Sequence, residues 1–167
     1  MVGSIYPGDE LLMFAFNAVI TNSFPLPFIG FVIFGYGLTS VDVSMTNLVS
    51  NTGVVATDVT GVGTARSDLA AAGYGGDKAI FGYGNTGNKT YVRLTNLVSN
   101  TGVVATDVTG VGTARRFLAA AGYGTNKAIF GYGNAGSMTN LVSNTGVVAT
   151  DVTGVGTARS ELAAASF

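Results

Sequence analysis

The chain is expected to fold as an all-β protein made of about three repeating units, and three observations lead there. A 21-residue string, TNLVSNTGVVATDVTGVGTAR, occurs at residues 46–66, 95–115 and 139–159 without a substitution, at offsets of 49 and 44 residues. The stretches between its turn signals are short and rich in Val, Ile, Thr, Phe and Tyr, which suit a pleated, half-buried surface. Glycine numbers 25 of 167 residues, roughly double ordinary usage, and it recurs with the period of the string rather than at random.

Residues 1–27 stand apart from the repeats. No charged residue lies between Glu10 and Asp42, and LLMFAFNAVITNSFPLPFIGFVIF is long enough to invite a membrane-spanning reading. Against it, Asn17, Thr21, Asn22 and Ser23 interrupt the apolar run, and Pro25 and Pro27 break its middle. A secretory signal would start with basic residues, whereas residues 1–10 hold Asp9 and Glu10 and neither Lys nor Arg. The expectation is an apolar N-terminal arm over 1–27, buried against the repeats or a neighbouring subunit, followed by repeats over 28–167.

Within the repeats each segment has a local reason for its form. KAIFGYGN at 78–85 and 127–134, with a degenerate copy FVIFGYG at 31–37, is a strand that runs into a glycine turn. The linker after each copy (LTSVDVSM, NTGNKTYVRL, NAGSM) absorbs insertions, which places it in loops or strand ends. SMTNLV and GVVATDV read as two further strands separated by the turn SNTG. TARSDLAAAGYG admits two readings. Thr64 can cap a short helix over 69–72 that Gly73 stops, or the small residues can form an inner strand. A stretch of about nine residues is marginal as an isolated helix, so the strand is favoured. ELAAASF at 161–167 then reads as one more such strand.

A period of 40 to 50 residues filled by about four strands suggests propeller blades. Around Arg66, ARSDLAAAGYGGDKAIFGYGNTGNKTYVRLTNLVSNTGVV resembles a kelch-type β-propeller repeat, with an Arg before a small-residue inner strand, a hairpin, a strand ending in glycines and an aromatic, and two outer strands. The resemblance covers about residues 28–167 and implies about three four-stranded blades. In it, Arg66, Arg115 and Arg159 match the family's pre-strand Arg, and Gly82/Gly84 and Gly131/Gly133 stand at its glycine pair. The near-identical repeats are also similar in style to repetitive propeller-like proteins of phages and environmental viruses. That likeness implies a structural protein of a virion tail or extracellular fibre. Closed propellers usually have about four to eight blades, so three are expected to be completed by homo-oligomerisation, head to tail.

Charge and composition exclude much chemistry. With 8 Lys+Arg against 9 Asp+Glu, the chain has no electrostatic footprint for nucleic acid or an anionic membrane surface. With 0 Cys and 0 His it lacks the usual zinc ligands, a thiol nucleophile and an imidazole proton shuttle, so no enzyme, metal or cofactor is expected. GYGNTG and GYGNAG match the dinucleotide pattern G-x-G-x-x-G, but the first continues as strand-like NKTYVRLTN instead of a helix that would meet a pyrophosphate, so a hairpin turn is expected.

The remaining candidates are repeated polar and aromatic residues. Asp58, Asp107 and Asp151 in TDVTG are expected to form Asx turns. Arg66, Arg115 and Arg159 should form a ring segment held by carbonyls or carboxylates at the junctions between units. Together with Tyr83 and Tyr132 these are the candidate ligand or inter-blade contacts. Two functions follow: a non-catalytic structural protein whose partners are itself and other structural proteins, or a glycan-binding module that uses the Arg set with Tyr74, Tyr83, Tyr123 and Tyr132 as platforms.

Overall fold

The computed structural model describes residues 31–87 and 89–167, which form ten β-strands and no helix. The arm expected over 1–27, with the membrane and signal readings placed on it, lies outside the described residues. The strands are β1 (Val32–Leu38), β2 (Asp42–Val49), β3 (Ala70–Tyr74), β4 (Lys78–Gly82), β5 (Asn85–Thr86), β6 (Thr90–Tyr91), β7 (Thr95–Val98), β8 (Ala119–Tyr123), β9 (Lys127–Gly131) and β10 (Thr139–Val142). They divide into three units, residues 31–66, 67–115 and 116–159. In the second and third units the antiparallel sheet order is β3-β4-β7 and β8-β9-β10, while the first contributes the pair β1-β2. The first two LAAA segments are therefore strands, because β3 and β8 each pair along their length with the KAIFG strand that follows. The variable linkers are, in the first unit, a three-residue turn (39–41) with the adjoining ends of β1 and β2, and in the second the small β5-β6 hairpin.

The fourth segment of each unit departs from the regular strand expected of GVVATDV. It touches its neighbour through two isolated bridges, Val98↔Val104 and Thr95↔Val108 in the second unit, with equivalents in the other two. Three residue steps on one side face four on the other, so the segment carries one extra residue, as a β-bulge does. The Asn96 side chain fills the gap, its Nδ2 donating to the Ala105 carbonyl at 3.0 Å and to Asp107 Oδ1 at 2.9 Å. The last LAAA copy also differs from the strand expected of it. Residues 161–167 are not a strand, although they repeat the sequence of β3 and β8, because no KAIFG partner lies beside them among the described residues.

Burial shows how the units join. Strand β4 is buried on both faces: Ile80, at 0% exposure, packs with Phe130 and Val142 of the third unit, and its neighbour Phe81, at 3%, packs with Tyr36 of the first. The side-chain alternation of a strand thus sends consecutive residues into two different interfaces. Glycine makes the approach possible. A Cβ on Gly82 would lie 2.6 Å from Phe130 Cζ, and one on Gly35 would lie 3.0 Å from Phe81 Cζ, so each Phe lands on the first glycine of the preceding FGYG. Gly82→Ala is expected to lower stability by about 1–3 kcal/mol through overpacking, measured as a lower urea midpoint at unchanged slope.

Candidate functional site

The sequence places one Tyr between the two glycines of each FGYG, and the fold puts Tyr36, Tyr83 and Tyr132 in the left-handed region at φ of 63°, 64° and 62°. That conformation is costly for a bulky residue and persists only where the surroundings hold it. In the first unit it creates the register shift between Gly35 and Gly37. In the second and third it accompanies a carbonyl that accepts from the Arg of the unit before, and the ring supports the Arg of its own unit.

Arg66 is fully buried and occupies that junction. Its guanidinium sits 4.2 Å from the centre of the Tyr36 ring. Its Nε donates to the Tyr83 carbonyl at 3.0 Å, Nη1 to the Thr64 carbonyl at 3.1 Å and Nη2 to Asn96 Oδ1 at 2.6 Å. Asp107 Oδ1 lies 3.8 Å from Nη1 and supplies the counter-charge. Arg115 repeats the set on Tyr83, the Tyr132 and Thr113 carbonyls, Asn140 and Asp151. A buried cation is tolerated only when its charge and donors are matched in this way.

Asp107 and Asp151 act across the junctions rather than in local Asx turns. Asp107 Oδ2 accepts from the backbone N–H of Thr64 at 2.9 Å and from its hydroxyl at 2.6 Å, 43 residues away. Asp151 does the same with Thr113. Partial burial by itself would raise these carboxyls; the hydrogen bonds from Thr and Asn, with the Arg charge, outweigh it and hold both below the ordinary value of 3.8. Burial also raises the hydroxyls of Tyr36 and Tyr83, whose O–H groups donate to the carbonyls of Val62 and Val111.

The candidate set therefore falls into two states. Arg66, Arg115, Asp107, Asp151 and Tyr83 are assembled in two complete junctions. Arg159 lies 4.2 Å from the Tyr132 ring centre and bonds to the Thr157 carbonyl, but it is exposed. Asp58 is exposed and, among the described residues, receives only Asn47 Nδ2, at 2.8 Å. The Asn and Thr members were not singled out from sequence. Asn in mid-strand, where it is depleted, was the available signal; Thr64 was read only as a helix cap.

Two outcomes follow. Arg115→Ala should destabilise by about 3–5 kcal/mol, since it orphans Asn140 and the Tyr132 carbonyl and strips Asp151 of its cation, whereas Arg159→Ala, at an exposed side chain, should stay within about 0.5 kcal/mol; denaturant titration separates them. Asp107 and Asp151 titrate lower in the folded chain than in the unfolded one, so their contribution is complete above about pH 5 and is lost as pH falls below about 4. Acid unfolding of Asp107→Asn/Asp151→Asn should lose that part of the pH dependence. Compared with protein-family models and with curated proteins, the chain matches none.

Proposed function

We propose that the protein is a non-catalytic structural protein whose repeats form kelch-like propeller blades within a larger homo-oligomeric assembly, of the kind found in a phage virion tail or fibre. The observation that carries this reading is where the repeated polar chemistry goes. Arg66, Arg115, Asn96 and Asn140 are buried, and their side-chain hydrogen bonds link one unit to the next. A catalytic or sugar-binding residue would need an open face, whereas these four lie in closed junctions. The order within a unit, small-residue strand, KAIFG, TNLV and a bulged outer segment, supports the blade resemblance.

One observation favours the glycan alternative at other residues. A groove of about 640 Å³ runs along the inner strands and is lined by Tyr74, Tyr123, Lys78, Lys127 and Asn126. Tyr123 is 39% exposed there and offers a ring face with amide and ammonium donors beside it. Sedimentation velocity and a glycan array distinguish the two readings. Particles of several chains without sugar retention are expected; a single-chain species that binds a glycan and loses it on Tyr123→Ala would replace the structural reading with the lectin one.

A further inference from the structure

We propose that the chain binds a second copy of itself head to tail, by repeating between molecules the junction that joins its own units; this rests on the assembly reading above and identifies its contact surface. The two internal junctions are built from the same parts, and the third unit and the first unit hold the two unmatched halves of a further one.

The forward half is on the third unit. Arg159 stands on Tyr132 as Arg66 stands on Tyr36 and Arg115 on Tyr83, all at 4.2 Å, but of its donors only Nη1 is engaged among the described residues. Gly131, the counterpart of Gly35 and Gly82, has no aromatic ring over it: a Cβ there would meet nothing nearer than Thr139 Cγ2 at 3.5 Å.

The receiving half is on the first unit. Phe34, the counterpart of the buried Phe81 and Phe130, is 58% exposed. Asn47 is already oriented as Asn96 and Asn140 are, with Nδ2 on Ala56 and Asp58, which leaves its Oδ1 pointing the way that accepts an arginine in the other copies. Asp58 has no threonine on its second oxygen among the described residues, where Asp107 and Asp151 each hold one.

A third pair of features matches independently. Leu48 packs against the position of Gly102, and Leu97 lies 2.8 Å from a Cβ built on Gly146. The next leucine in the series, Leu141, is 39% exposed, and the preceding glycine, Gly53, has nothing within 4 Å. Apolar knob, glycine seat, arginine and carboxylate are therefore all present in complementary halves, and the exposure of Phe34 and Arg159 shows that these halves do not meet among the described residues. Joined between chains, they make a heterologous contact that closes as a ring or continues as a fibre.

Two variants act on opposite halves without touching the internal junctions. Phe34→Ser removes the exposed knob, and Gly131→Ala fills the seat with a Cβ that the isolated chain accommodates. Light-scattering mass after size exclusion should give multi-chain particles for the unaltered full chain and single chains for each variant. An equimolar mixture of the two has one intact junction per pair and should run at twice the single-chain mass and no higher. If the unaltered chain assembles and both variants keep its mass, or if the mixture stays at single-chain mass, this junction is wrong while the assembly reading stands. A single-chain mass for the unaltered protein overturns both.

Discussion

A buried arginine between two tyrosines is the constraint on which the rest of the structure depends. Arg66 and Arg115 have no water to solvate them, so each needs a ring beneath, a carbonyl ahead, an amide oxygen beside and a carboxylate near, all at once. Those groups come from two successive units, which means the set is complete only when the units sit in one relative position. Removing any partner leaves a charge or a polar group stranded in a medium that penalises it. The junction thus sets orientation, while the neighbouring apolar contacts supply most of the attraction.

Those apolar contacts have their own logic. A strand that alternates its side chains can serve two interfaces when units pack against both of its faces, and β4 does so with Ile80 on one side and Phe81 on the other. The small residues are the complement of the large ones: Gly35 and Gly82 are the floors on which Phe81 and Phe130 rest. Stability in such an array is a sum of unit terms and nearest-neighbour terms. Among the described residues, the first and third units each have a neighbouring unit on one face only, and Phe34 and Arg159 are exposed there.

The same reasoning bears on function. Residues that look chemically equipped in the sequence, three Arg, three Asp and a series of Tyr, are for the most part used to join units. Where they are open, at Arg159 and Asp58, each presents the half of a joint that its identical copies complete elsewhere.

The all-β class and the repeat were legible in the sequence, because turn residues and β-branched strands are local signals and the 21-residue string is identical in three places. The arginines and aspartates were legible as a repeated set, but the aspartates were assigned to local turns, since a sequence shows what lies two residues away and hides what lies 43 away. Thr64 read as a helix cap for the same reason; its partner is in another unit. The three LAAA copies make the limit plain. By itself the sequence determined that these stretches are small, apolar and equivalent. Only the tertiary structure decided that two are strands and the third is not, because a strand's backbone groups are satisfied by a neighbour, and among the described residues, 161–167 have no partner strand such as β4 and β9 give β3 and β8.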